Sequence, residues 1–202
     1  MTAEIAFVGD IHGNLRALRG IFDVLEARGG PPPIFLGDYI NKGAQSAEVM
    51  EELLAYSKSG RATLLRGNHE AALLDALDTE DLTAFLKMGG AMTIRSYVGT
   101  KVGPDVLSDF RGRFPKEHLD GMRCMPEIYE SNDFIAQHTS PSAPTPKFRV
   151  SAHVVVGNLP RIGPKSAQLD TGCGSDDGRL TALLWPSLDY VQVDAHGAIV
   201  TS

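Results

Sequence analysis

The sequence predicts an α/β fold, a two-sheet sandwich flanked by helices. Three observations predict it. Apolar runs of strand length alternate with helical periodicity as far as Thr79; a Gly-Asp or Gly-Asn turn follows each of the first three runs; and from Glu127 onward strand-like runs dominate, enough for a second sheet.

Glu4 to Val8 reads as a short buried strand, followed by a turn and a helix whose Leu15, Leu18, Ile21, Phe22 and Leu25 fall at helical spacing. Gly29, Gly30 and three prolines stop that helix. A second apolar run, Ile34 to Leu36, leads into GDYINKG, after which Ser46 is placed to cap a helix through Val49, Leu53 and Leu54. Thr63 to Leu65 reads as the third strand, and GNHEAALLDAL opens a third helix. Between Thr79 and about Arg123 the pattern is that of a helical insert, broken at Gly89-Gly90 and at Pro104. The later segments EIYE, DFIA, HVVV, AQLD, LTALLW and DYVQV read as strands. Ser140 to Pro146, SPSAPTP, holds three prolines in seven residues and predicts a surface loop or short linker.

At 202 residues, with 43% hydrophobic and 22% charged, the chain suits one folding unit over residues 1–202. The net charge of -6 and a pI near 5.5 exclude a broad basic surface for nucleic acid. An anionic substrate must then be met locally, by metals or by a few cations. Cys124 and Cys173 are too few for a disulfide framework or a thiolate zinc site, which fits a reducing compartment. MTAEIAFVGDIHG has no basic region before an apolar stretch, and no window approaches the run of about 18 apolar residues that crosses a bilayer. A cytoplasmic location with no membrane partner is the expectation.

In an open α/β sheet, ligands gather at the carboxyl ends of the strands, so GDIHG, GDYINKG and GNHE should converge. Asp10, His12, Asp38, Asn68 and His69 would share one site. Asp10 and His12 are two residues apart, which in extended backbone aims both side chains the same way and makes a chelating pair. Carboxylate and amide oxygen mixed with imidazole nitrogen suit manganese, iron or zinc. A single carboxylate such as Asp38 can bridge two such ions, which two-metal hydrolases hold about 3.5–4 Å apart.

GDIHG, GDYINKG and LLRGNHE, in this order, resemble the three signature blocks of the calcineurin-like metallophosphoesterases, LLRGNHE being close to the phosphoprotein phosphatases. FLKMGGAMTIRSYV and LDTGCGSDDGRLTALLW are similar to the small bacterial protein phosphatases of that family. The resemblance implies two divalent metal ions, manganese foremost, with iron or zinc as alternatives. It makes Asp10 and His12 ligands of the first and Asp38 the bridge, with Asn68 and His138 on the second. His69 becomes the general acid that protonates the leaving alkoxide. The implied reaction is hydrolysis of phosphate monoesters, on a phosphoserine or phosphothreonine protein or a small phosphate ester. Hydrolysis of dinucleoside polyphosphates is the other enzymatic reading, and a catalytically degenerate phosphatase that binds or regulates a partner is the third.

Four departures from the family pattern point to reduced activity. Asn41 stands where the family has the aspartate behind the catalytic histidine, and Lys42 where it has a phosphate-gripping arginine. VVVGNLP stands at the Gly-His-Thr-Pro turn, which puts Asn158 at the last imidazole ligand. The segment that carries a second phosphate-binding arginine is shortened. His153 is set aside as a ligand, because reading HVVV as a strand puts it roughly 16 Å from Asn158. Asp105, Asp109, His118, Asp120, Asp176, Asp177 and His196 have no spacing partner and read as solvated surface.

Overall fold

The computed structural model describes residues 4–140 and 144–200, so part of the predicted Ser140 to Pro146 loop lies outside the described residues. The chain opens with three strand-helix units: β1 (Ile5–Val8), α1 (Leu15–Ala27), β2 (Pro33–Phe35), α2 (Ser46–Lys58), β3 (Thr63–Leu64) and α3 (Asn68–Thr79). Four short helices follow, α4 (Thr83–Lys87), α5 (Gly90–Val98), α6 (Val106–Arg113) and α7 (Lys116–Cys124). The rest is strand: β4 (Ile128–Glu130), β5 (Phe134–Gln137), β6 (Phe148–Ser151), β7 (Arg161–Ile162), β8 (Ser166–Gln168), β9 (Arg179–Trp185) and β10 (Tyr190–Asp194).

Local chemistry sets the first helix. The Asn14 side chain accepts the N–H of Ala17 at 3.0 Å, satisfying one of the donors that a helix start leaves free. Leu18, Ile21 and Leu25 bury one face, and Gly29 and Gly30, at φ 94° and 66°, turn the chain back. Ser46 does not cap the second helix: it is the first residue of α2, and its hydroxyl instead accepts the N–H of Asn41 at 3.2 Å.

Two mixed five-stranded sheets form, in the orders β10-β9-β1-β2-β3 and β4-β5-β6-β8-β7. In the first, β1, β2 and β3 run parallel; in the second, β5, β6 and β8 do. Side chains along β1 alternate between the two cores, as a pleated strand requires. Ala6 and Val8 join the helices in one cluster, with Leu18, Ile21 and Leu53. Phe7 points the other way, into a second cluster with Phe134, Val150 and Leu183 that glues sheet to sheet, and its ring meets Phe134 edge-on at 4.9 Å. Each such large side chain contributes on the order of 1.5–3 kcal/mol by leaving water.

Two expectations are corrected. HVVV is not a strand: β6 is FRVS and ends at Ser151, so His153 lies just beyond its carboxyl end, and Val154 and Val155 are each 56% exposed. The charge of Arg149 breaks the apolar run of FRVS, whereas three valines imitate one in a loop. His118 is buried, not surface, with its ring between the Tyr97 hydroxyl at 2.8 Å and Glu51 Oε2 at 2.9 Å. Among the described residues no helix is long and apolar enough to cross a membrane.

Candidate functional site

The carboxyl ends of six strands, three from each sheet, meet in one cleft. From the first sheet come the turn after β1, with Asp10 and His12, the turn after β2, with Asp38, Asn41 and Lys42, and the turn after β3, with Asn68 and His69. The first two are laced together: the N–H groups of Ile11 and His12 both donate to the Asp38 carbonyl, at 3.1 and 2.9 Å. Asp10 and His12 therefore share a direction through a tight turn, with His12 at φ 48°, and not through extended backbone. Asp38, Asn41 and Lys42 also sit at positive φ, 56°, 71° and 58°, conformations that side-chain-bearing residues adopt at a cost.

A buried carboxylate holds that strained turn. Glu70 accepts the N–H groups of Asp38 at 2.9 Å and Gly67 at 3.0 Å on one oxygen, and those of Tyr39 at 2.8 Å and Ile40 at 3.3 Å on the other. The approach is so close that a Cβ on Gly67 would stand 2.2 Å from Asp38 Oδ1, which only glycine avoids.

The second sheet adds His138 after β5, His153 after β6 and Asp170 after β8. His138 directs Nδ1 at the Leu36 carbonyl, 3.1 Å away, which leaves Nε2 facing Asp38 Oδ2 at 3.3 Å, Asn68 Oδ1 at 2.7 Å and His153 Nδ1 at 3.1 Å. His153 Nδ1 is 2.9 Å from the same amide oxygen, and the main-chain N–H of His153 donates to Asp10 Oδ1 at 3.4 Å. Asp170 is buried near Asp10, its charge adding to that of Asp38.

A sequence model of the calcineurin-like phosphoesterases matches residues 3–192. The chain belongs to this family. Among solved structures, one provisionally named a diadenosine tetraphosphatase has a TM-score of 0.69 at 20% identity, covering 96% of this chain and 94% of that one. A cold-active protein tyrosine phosphatase has a TM-score of 0.62 at 14% identity, covering 100% and 79%. A protein serine/threonine phosphatase from Saccharomyces cerevisiae has a TM-score of 0.52 at 12% identity, covering 90% and 72%. At these identities the likeness concerns the fold.

The donors fit the divalent ions that the family typically binds. Around one ion at about 2.1 Å, tetrahedral ligand atoms lie about 3.4 Å apart. His12 Nε2 is 3.6 Å from Asp10 Oδ2 and 3.8 Å from Asp38 Oδ2. Asp10 Oδ2 is buried without a hydrogen-bond partner, a state that costs free energy unless a cation meets it. Asp38 Oδ2, Asn68 Oδ1, His138 Nε2 and His153 Nδ1 form the second group, and lone pairs crowded this closely call for a shared proton or ion.

The metal-free electrostatics agree. Burial, with Asp38 and Asp170 nearby, pushes the Asp10 carboxyl well above the usual carboxylate range. Burial opposes ionisation of Asp38 too, yet the hydrogen bond and charge of His138, with His69 and His12, bring it down to about 2. Burial lowers His138, but the hydrogen bond and charge of Asp38 outweigh it and raise it to about 9. A proton held there does in part what a cation would do.

His69 stands apart. Burial and the nearby His12, Lys42 and His138 hold it down to about 4, against the pull of Asp38. Its Nδ1 meets Asn41 Nδ2 at 2.6 Å. The Asn41 amide nitrogen also donates to the Met88 carbonyl at 3.2 Å, and its oxygen accepts from the Thr93 hydroxyl at 2.7 Å. A carbonyl only accepts, so this network fixes the nitrogen end of the amide toward His69. His69 Nδ1 must then accept, and the ring is neutral with its proton on Nε2, facing Asp38 Oδ2 at 3.6 Å. The amide thus donates to the ring, whereas an aspartate at this position would accept from it.

Of the residues singled out in the sequence, the cleft gathers Asp10, His12, Asp38, Asn41, Lys42, Asn68, His69 and His138. Asn158 is not brought in. It is exposed, and its carbonyl is anchored by Gln192 Nε2 at 2.9 Å and Arg179 at 3.5 Å, beside β9 and β10. His153, set aside because its strand was misplaced, is the imidazole that reaches Asn68 and His138. Glu70, Thr93 and Asp170 were missed. Glu70 had a legible signal, since Gly67 followed three residues later by Glu has the spacing of a capping box, and the Gly67 N–H indeed donates to it.

Proposed function

We propose that this phosphoesterase hydrolyses phosphate monoesters at the cleft, with a phosphoserine or phosphothreonine side chain of a protein as its favoured substrate. The observation that carries the reading is the convergence of Asp10, His12, Asp38, Asn68, His138 and His153, with a buried carboxylate oxygen that no protein group satisfies. Asp10, His12 and Asp38 would hold one divalent ion, and Asp38, Asn68, His138 and His153 a second, manganese before iron or zinc for a thiolate-free set. Such ions polarise a phosphate ester and acidify water.

The chain's own residues do the rest. His69, kept neutral by Asn41, offers its Nε2–H to the leaving oxygen as a hydrogen bond. It is a weak proton donor, because giving up that proton would leave an imidazolate, so turnover is below that of a member with a carboxylate behind the ring. Beside Asn68 and His138 a groove of about 280 Å³, lined also by Arg66, Glu127, Ile128, Gln137 and Thr139, is placed to take the leaving group. Among the described residues no phenylalanine, tyrosine or tryptophan lines it, and its one aromatic ring, His138, is turned to the second metal group, which favours a peptide over a nucleotide base, since bases seek stacking surfaces.

Two other readings have support. The full-length likeness to the provisionally named diadenosine tetraphosphatase favours a dinucleoside polyphosphate, and the Asn41 and Lys42 substitutions favour a binding role. Assays with manganese on a chromogenic phosphate ester, a phosphothreonine peptide and diadenosine tetraphosphate separate them. The monoester reading expects metal-dependent release from the first two, abolished by Asp10→Ala. Cleavage of the dinucleotide alone would replace the substrate class, and no turnover by protein shown to hold metal would favour binding.

A further inference from the structure

Lys42 does not reach outward as a phosphate-gripping cation. Lys42 is an exposed residue, yet its ammonium turns inward and donates to His12 Nε2 at 2.7 Å, while His12 itself is 1% exposed. The other ring nitrogen, Nδ1, is 3.0 Å from the Ile40 carbonyl, an acceptor, so Nδ1 carries the proton and Nε2 holds the ring's one free lone pair. That lone pair faces Asp10 Oδ2 and Asp38 Oδ2 across 3.6 and 3.8 Å, so the lysine is bonded to the atom that an ion between the carboxylates would need. The His12 ring is buried and its Nδ1 is tied to the Ile40 carbonyl, so the ring keeps the orientation in which Nε2 must serve either the lysine or an ion.

We infer that Lys42 is a swinging cation, bonded to His12 when the first ion is absent and displaced by that ion toward the phosphate of the substrate. The inference rests on the two-ion reading above. It makes metal and lysine competitors for one lone pair, and it couples loading of the first ion to the availability of the ammonium for substrate. A long, flexible side chain on an exposed residue moves at small cost, which suits such an exchange. An arginine would not act in the same way: its planar fork is preorganised for carboxylate or phosphate, whereas the compact lysine ammonium offers one hydrogen to one nitrogen.

The test is titration of the metal-free full chain with manganese, read by calorimetry and by loss of the free-ion paramagnetic resonance signal, followed by titration of the loaded protein with inorganic phosphate. Lys42→Met should tighten one of two manganese classes roughly tenfold, the scale of one charge-assisted hydrogen bond, and leave the other unchanged. Asp10→Ala should abolish the class that Lys42→Met tightens. In the same Lys42→Met protein phosphate should bind more weakly, also by roughly tenfold, and this opposite sign separates exchange from a general loosening of the cleft. Lys42→Gln, which keeps polarity but removes the charge, should follow Lys42→Met if charge is the cause, and thermal melts show that each variant is folded. Two manganese classes unchanged in both Lys42 variants, or both weakened, would overturn the swinging cation while leaving the two-ion centre standing. Parent protein that binds no manganese would overturn the two-ion reading itself.

Discussion

The two sheets feed the same cleft by different means. The first sheet supplies its groups from turns whose backbone is itself unusual: Asp38, Asn41 and Lys42 lie at positive φ, laced to His12 and held by the four N–H bonds of Glu70. The second sheet supplies His138 from the ordinary end of β5 and His153 from a single left-handed residue, φ 69°, just past β6, each fixed by a few side-chain contacts and, among the described residues, with no buried carboxylate gathering the main-chain N–H groups around it. One half of the site is thus part of the folding problem, and the other half is decoration on strand ends. A change in the first half should strike stability and chemistry together, whereas a change in the second should strike metal affinity far more than stability.

The strongest way to break that contrast is Glu70→Ala. Four main-chain donors would lose their acceptor in the interior, and at about 1–3 kcal/mol for each buried unsatisfied group the loss should exceed about 4 kcal/mol in denaturant unfolding. A loss below about 1 kcal/mol would mean that the turn holds itself.

Next in size is Asn41→Asp. A carboxylate would accept the Nδ1–H of His69 and support the imidazolium, and we expect kcat toward a phosphate ester to rise roughly 10²-fold, the scale of one general-acid contribution. The new oxygen would face the Met88 carbonyl, now 3.2 Å from an amide nitrogen, so a modest stability loss should accompany the gain. An unchanged kcat in folded, metal-loaded protein would show that the state of His69 does not limit turnover.

His153→Ala and Asn158→Ala form a matched pair in the second half. The first should weaken one manganese class by tens of fold with little change in unfolding, because His153 is exposed and supports no core. The second should change neither, and Asn158→His should give no gain. Equal effects of the two alanine variants would sink the assignment of His153.

The smallest effect concerns pH. In metal-free protein His138, raised to about 9, contributes stability below its unfolded value near 6.5 and loses it as pH rises through about 9. Melting temperature should fall over that window with chelator present and stay flat with manganese bound. The same fall in both would remove His138 from the metal site.

The contrast also explains what the sequence made legible. Positive φ and close backbone approach demand glycine and a narrow choice of neighbours, so GDIHG, GDYINKG and GNHE are readable as turns that converge. The short runs before them, such as Ile5–Val8 and Pro33–Phe35, are readable because both faces of β1 and β2 are buried. The strand ends that present His138 and His153 carry no glycine-rich block, and even the left-handed backbone of His153, at φ 69°, is adopted by a non-glycine residue and leaves no mark in the sequence. His138 is accordingly legible only through family likeness, and His153 is not legible at all, because the exposed valine loop after it imitates a strand. The direction of the Asn41 amide could not be read either, since it depends on Met88 and Thr93, 47 and 52 residues away.

The most direct measurement is anomalous scattering from crystals of the protein grown with manganese. Two peaks about 3.5–4 Å apart are expected, one against Asp10, His12 and Asp38, the other against Asp38, Asn68, His138 and His153. No peak in the cleft, a single peak at saturating manganese, or a second peak held by Asn158 in place of His153 would contradict a two-ion centre built jointly by the two sheets.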